Sequence, residues 1–203
     1  MSEQKAPMPT AEGLAEPLRS RWSPSVFDDE HELGDDELMT LLRAAQWAPS
    51  WGNSQPWRFF VARRGDTTHG VLVEHLSRGN STWVPRAAVV LLTATQLRPD
   101  EQGEGGGEHA AYDLGQAAAH VTLQARTMGL HAHQFAGFDR AAVAARLGVP
   151  AHFEVMSGIA IGRRGARDDV DERTRGREDR VRRRKTLAEF VYAGSWGTPW
   201  QAS

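Results

Sequence analysis

The spacing of apolar positions divides the chain into alternating helical and extended segments. Three acidic residues, Asp35, Asp36 and Glu37, lead into Leu38, Leu41, Leu42 and Ala45. That i, i+3, i+4, i+7 stripe behind helix-starting negative charge predicts an amphipathic helix. Trp57 to Ala62 predicts a strand, and Asp66 to Ser77 a second helix with Val71, Leu72 and Leu76 inward. Ala87 to Thr93 is a short, continuous apolar run, the mark of a strand buried on both faces. The Gly- and Glu-rich stretch from Gln96 to Glu108 reads as a mobile connection. The longest periodic segment runs from His109 to Met128, with Leu114, Ala118, Val121, Ala125 and Met128 on one face and Gly129 as terminator. Ala110, Ala111, Gly115, Ala117 and Ala119 keep this helix thin, as suits a central core helix that other backbones approach closely. Asp139 to Leu147 predicts a short helix stopped by Gly148 and Pro150, and Phe153 to Gly162 a further strand. No internal repeat is visible.

Composition sets the frame. With 203 residues, 40% of them hydrophobic, the chain can bury one sizeable core. A formal net charge of −2 exerts no global pull on nucleic acid or anionic membranes. Cysteine is absent, which removes disulfides, thiolate metal sites and cysteine nucleophiles together. No apolar run approaches the ~20 residues that span a bilayer. Residues 1–15 lack the apolar core of a secretory signal and read as a disordered tail, so the expectation is a cytoplasmic protein. Residues 16–193 form the single predicted domain. Arg163 to Lys185 carries ten arginines among six acidic residues and predicts a solvated loop or surface helix. The interspersed acids, with no aromatic stacking platform beside them, argue against nucleic-acid binding. In residues 194–203, Trp196 and Trp200 are poor material for a frayed end and point to a tail docked on a second subunit.

Several motifs can be weighed on chemistry alone. Gly103 to Glu108 lies between a predicted strand and a predicted helix, but the third glycine of a dinucleotide-binding G-x-G-x-x-G would fall at Glu108. His131 and His133 have no third ligand in any metal-binding pattern and read as loop histidines, so no metal is expected. No G-x-S-x-G elbow occurs, which argues against a hydrolase. Arg21 and Ser23, with Arg182, Arg183, Arg184 and Lys185 far downstream, offer a guanidinium fork and a hydroxyl suited to a phosphate monoester. The stretch from Trp47 to Trp57 joins helix to strand through Pro49, Gly52, Asn53, Gln55 and Pro56. Its amides both donate and accept, and Gly52 allows close backbone approach, as suits a flat heterocycle with alternating C=O and N–H groups. A plain turn is the alternative reading of those residues.

Taken whole, the string Ala-Pro-Ser-Trp-Gly-Asn-Ser-Gln-Pro-Trp at 48–57 closely resembles the A-P-S-x-x-N-x-Q-P-W signature of the nitroreductase family. Further segments follow in the family's order. Arg21-Trp-Ser23-Pro-Ser-Val-Phe27 resembles its R-x-S-x-[RK]-x-F segment, Gly79-Asn80 with Trp83 its next block, and Tyr112 to His120 running on to Gly129-Leu130 its central helix. Ala136-Gly137-Phe138-Asp139 and Ile159-Ala-Ile-Gly162 resemble the loop and strand that come after. The resemblance spans about Arg19 to Trp196.

This resemblance implies an α+β fold, a mostly antiparallel central sheet flanked by helices, in an intertwined homodimer with FMN at the subunit interface. It implies an FMN-dependent NAD(P)H oxidoreductase that reduces nitroaromatic, quinone or similar electron-poor acceptors by ping-pong hydride transfer, with no catalytic side chain required. Arg21, Trp22 and Ser23 would hold the phosphate and ribityl end, joined by Arg182 or Arg184. Pro49, Ser50, Trp51 and Asn53 of the second subunit would contact the isoalloxazine. Asn80 would bond the pyrimidine edge or ribityl chain, and backbone groups around Ala136 and Gly137 would approach N5. The rivals are a flavin-dependent dehydrogenase or oxidase of an organic substrate and a non-catalytic FMN-binding protein. Two departures matter. Ser25 stands where many relatives carry Arg or Lys, and Trp83 where a Lys often lies near the pyrimidine. A cation there favours the reduced, anionic flavin, so its loss makes reduction harder unless another cation compensates. Trp83 is also large enough to narrow the substrate space.

Overall fold

Four strands and six helices carry the architecture in a computed structural model that describes residues 9–166 and 170–201. In chain order these are α1 (Glu16–Ser20), α2 (Asp35–Gln46), β1 (Trp57–Arg63), α3 (Thr67–Glu74), β2 (Val89–Gln96), α4 (Ala110–Thr127), β3 (His131–Phe135), α5 (Arg140–Arg146), β4 (Phe153–Gly162) and α6 (Glu172–Glu178). The strands form one sheet in the order β1-β2-β4-β3, with every neighbouring pair antiparallel. This is the expected α+β class with an antiparallel sheet and flanking helices.

Strand β2 runs down the middle of the sheet and is buried on both faces, as its unbroken apolar run requires. Because side chains alternate along a strand, Val89 and Leu91 join one core and Val90, Leu92 and Ala94 another. The first core packs the sheet against α2 and α4 through Leu38, Leu41, Leu114, Ala118 and Val121. The second, on the opposite face, gathers Leu72 of α3, Val143 of α5, Trp83, Phe27 and Phe135. Each fully buried Leu, Ile or Phe contributes about 1.5–3 kcal/mol of transfer free energy.

Some expectations need correction. His131 and His133 sit on β3, paired to Gly162 and Ala160 of β4, and are not loop residues. The second helix stops at Glu74, and the chain beyond turns toward the 136–139 segment, where Leu76 bridges Phe138 and the Ser77 N–H donates to the Gly137 carbonyl at 2.9 Å. The arginine-rich stretch contains a largely exposed surface helix, as expected, with one buried side. Asp171 caps α6 by accepting from the Thr174 N–H, and Thr174 and Glu178 are buried. Of the tail expected over residues 1–15, residues 1–8 lie outside the described residues, and Pro9–Ala11 form a 3-10 turn. Among the described residues, no helix is long and apolar enough to cross a membrane.

Candidate functional site

The segment from Arg21 to Phe27 enters the fold between α1 and α2 and is zipped to the end of β4. Phe27 bridges Arg164, the Asp28 N–H donates to the Arg163 carbonyl at 3.0 Å, and the Gly165 N–H donates to the Val26 carbonyl at 3.2 Å. A Cβ at Gly165 would lie 2.6 Å from the Phe27 carbonyl oxygen, so this close approach depends on the glycine. A cleft of about 370 Å³ opens beside the segment, lined by Ser23, Ser25, Asn80, Trp83, His133, Arg177 and Arg180. Arg21 and Ser23 also border a second cleft of similar size against α4, lined further by Leu18, Ala119, Thr122, Leu123, Ala132 and Gln134.

Arg21, Arg177, Arg180 and Arg182 gather positive charge beside these clefts. Arg21 is half-buried, its Nη2 donates to Ser23 Oγ at 3.4 Å, and its buried Nε has no hydrogen-bond partner among the described residues. Burial, then Arg184, then Arg182, push its pKa below the usual arginine value. Arg182 donates to the carbonyls of Arg19 and Arg21, each at 3.3 Å, which fastens the two distant basic segments together. Arg184 donates to the Arg183 carbonyl. An unsatisfied buried guanidinium nitrogen within a group of like charges fits a phosphate dianion, which would supply both acceptors and neutralising charge. Arg167 of the same stretch lies outside the described residues.

Asn80 is held at both ends of its side chain. Its Nδ2 donates to the Gly137 carbonyl at 3.1 Å, and its Oδ1 accepts from Trp83 Nε1 at 3.2 Å. One N–H and one lone pair remain for a ligand. Gly137 therefore lies against Asn80, with exposed Ala136 just before it. Trp22 is buried, edge-on to His131 at 5.9 Å with the Arg164 guanidinium 5.3 Å from its ring centre, and its ring lines neither cleft. Trp83 is only 1% exposed, stacked between His133 at 4.2 Å and Phe27 at 6.2 Å. It is a core residue that also forms part of the cleft wall.

The predicted isoalloxazine contacts sit elsewhere. Trp51–Asn53 form a 3-10 turn, and Gly52, Asn53 and Gln55 have φ of 56°, 56° and 47°, the left-handed region. The turn is pinned by the Trp51 N–H donating to Asp113 Oδ2 at 3.0 Å, from a carboxylate of α4 that is buried. The Gln55 N–H donates to Ser50 Oγ, Gln55 Nε2 to Asn53 Oδ1, and Gln116 Nε2 to the Pro49 carbonyl. The Trp51 ring stacks on His109 with centroids 4.5 Å apart and stays 70% exposed. Pro49, Ser50, Trp51 and Asn53 line neither cleft. One chain thus brings Arg21, Ser23, Asn80, Gly137 and Arg182 into one neighbourhood and holds the 49–53 turn apart from both clefts.

The sequence reading passed over Arg177 and Arg180, and took His133 for a loop histidine. Two features of the pattern locate the first two: Asp171 followed three residues later by Thr174 marks a helix start, and Thr174 and Glu178 four apart define its buried side. The place of His133 on a strand was hidden because that strand is polar.

Comparison with known proteins gives a consistent result. The sequence model described as "Nitroreductase family" matches residues 18–72 and 65–163. An uncharacterised 15.4 kDa protein of Mycolicibacterium smegmatis is 35% identical over 150 residues, covering 70% of this chain and 99% of its own length. An Archaeoglobus fulgidus protein, provisionally named an NADH dehydrogenase/NAD(P)H nitroreductase, is 26% identical over 173 residues, covering 83% of this chain and 95% of its own. A crystal structure described as an oxidoreductase containing FMN superposes with a TM-score of 0.84 at 30% identity, covering 91% of this chain and 93% of that one.

Proposed function

We propose that this chain, which belongs to the nitroreductase family, holds FMN in the arginine-lined site and serves as an NAD(P)H oxidoreductase for nitroaromatic, quinone or similar electron-poor acceptors. The observation that carries the reading is Arg21: a buried Nε without a partner, inside a basic cluster drawn from both ends of the chain. The FMN in the similar oxidoreductase structure and the name of the Archaeoglobus relative support the same cofactor and reductant.

FMN, when bound, supplies the acceptance of a hydride from NAD(P)H and its delivery to the second substrate. The chain's own residues do the positioning. Arg21, Ser23 and Arg182, with Arg184 nearby, hold the phosphate, and their excess positive charge selects the dianion. Asn80, fixed by Gly137 and Trp83, presents its remaining N–H and lone pair to the ribityl chain or pyrimidine edge. Ala136 and Gly137 offer backbone groups beside it. Because the 49–53 turn lies outside both clefts of its own chain, its contacts with the isoalloxazine come from a second copy in a homodimer. The exposed rings of Trp47, Trp51, Phe190, Trp196 and Trp200 support such an assembly.

An absorption spectrum of the purified protein, followed by anaerobic titration with NADH and NADPH, tests the reading. Flavin bands that bleach under a nicotinamide and return on adding a quinone are expected. A colourless protein that takes up no added FMN would overturn it. Flavin that stays oxidised under excess NAD(P)H would favour the non-catalytic binder, and flavin reduced only by an organic donor would favour the dehydrogenase.

A further inference from the structure

The cleft beside Asn80 has neutral residues at both positions, Ser25 and Trp83, where the resemblance places cations. It is nonetheless a positively charged space. Arg177 of α6 lines the same cleft, and its guanidinium is fixed there by donating from Nη1 to the Gly79 carbonyl at 2.7 Å, one residue before Asn80. Its charge reaches the interior. His133 has a pKa lowered first by burial, against the raising effect of its bond to the Pro24 carbonyl, and then further by Arg177 and Arg21. Of the neighbouring acids, Glu178 accepts the Ser25 N–H through Oε1 at 2.5 Å with its Oε2 3.5 Å from Arg164 Nε, and Asp171, at the start of α6, feels the charge of Arg177 from an exposed position.

We infer that Arg177 provides the cation for the pyrimidine end of bound FMN, standing in from α6 for positions 25 and 83, and so sets how readily the flavin is reduced. This rests on the FMN reading above. Reduction leaves negative charge at the pyrimidine end of the isoalloxazine. A cation held in a half-buried cleft stabilises that charge more than one in open solvent, because screening is weaker there. The bond to Gly79 matters because it removes the rotamer freedom a long side chain would otherwise lose on binding.

The test is the midpoint potential of the FMN-loaded protein, measured by dye-equilibrated spectroscopic titration. Arg177→Gln retains a donor for the Gly79 carbonyl but not the charge. It is expected to lower the ratio of reduced to oxidised flavin at fixed poise about tenfold, a shift of ~30 mV for a two-electron couple. Arg177→Lys should restore most of the wild-type value. Ser25→Lys, which adds a cation to the same cleft, should move the ratio the other way and serves as the second arm if the Gln variant folds poorly. Unchanged potentials in flavin-loaded Arg177→Gln, or in flavin-loaded Ser25→Lys where Gln cannot be loaded, would overturn the inference and leave the FMN reading standing. A wild-type protein that binds no FMN would instead overturn that reading itself.

Discussion

The amide of Asn80 closes on the backbone of Gly137: Nδ2 donates to that carbonyl at 3.1 Å, and a Cβ at residue 137 would lie 2.5 Å from the same nitrogen. The contact joins the turn after α3 to the loop after β3, 57 residues apart in sequence. Asn80 cannot simply swing aside, since its Oδ1 is held by Trp83 Nε1.

Gly137→Ala should therefore disturb the site as well as the fold. The added methyl would also meet Ser77 Oγ at 2.7 Å. Overpacking of this kind costs about 1–3 kcal/mol, to be read as a lower urea midpoint. Fluorescence titration with FMN should show weakened binding, because Asn80 must leave its place. Wild-type stability and FMN affinity together in the variant would mean that the loop relaxes freely and that Asn80 is not held by it.

Arg21→Ala should weaken FMN binding by about 1.5–3 kcal/mol, the range for a lost hydrogen bond to a charged group, or roughly 10- to 150-fold. Arg146→Ala is the matched control, since that arginine pairs with Glu74 on an exposed surface at 3.0 Å. Equal FMN affinity in both variants would remove Arg21 from the phosphate site.

How far the sequence carried these conclusions depended on where each signal resided. β4 was read with its observed ends, and α4 to within a residue of its first and last positions, because burial on a regular face imposes a period. β3 was missed for the converse reason. It is an edge strand, and His131, His133 and Gln134 leave only Ala132 and Phe135 as buried apolar residues, too few for a period to show. Asp113 was also unread: a buried carboxylate inside an apolar helix looks like noise until the Trp51 N–H is found against it. Within the candidate site, Arg21 and Ser23 were legible as residue types suited to a phosphate, and both line a cleft. The choice among ten arginines between 163 and 185 was not, because only the cap at Asp171 and the burial of Thr174 and Glu178 decide which of them turn inward.

His131 makes stability depend on mildly acid pH. Burial, then Arg126 and Arg164, lower its pKa to about 4, and its buried Nδ1 has no hydrogen-bond partner. The unfolded chain takes up this proton near the ordinary value of 6.5, the folded chain only near 4. Between those values the unfolded state binds more protons, so the stabilisation is complete above 6.5 and is lost as pH falls toward 4. Urea midpoints measured from pH 7.5 down to 4.5 should fall. His131→Phe, which keeps a ring against Trp22, should fall less steeply, and an identical slope would assign the dependence to other groups.

The C-terminal tail gives the sharpest test of the proposed dimer. Residues 192–200 fold back on themselves: Tyr192 bridges Pro199, the Ala193 N–H donates to the Thr198 carbonyl at 3.0 Å, and the Tyr192 and Trp196 rings lie 5.1 Å apart. That small hairpin leaves Trp196 91% and Trp200 52% exposed. Burying one such ring contributes about 1.5–3 kcal/mol, so a second copy that covers both would gain substantially. In the dimer proposed above, the 49–53 turn would reach the flavin of that same second copy. If assembly and cofactor retention draw on one interface, as that proposal requires, deleting residues 194–203 should lower both together. Sedimentation should show a shift toward monomer, and the flavin absorbance per chain should drop in parallel. A truncated chain that stays dimeric with full flavin content would make the tail dispensable, and one that dissociates yet keeps its flavin would place the whole site within a single chain.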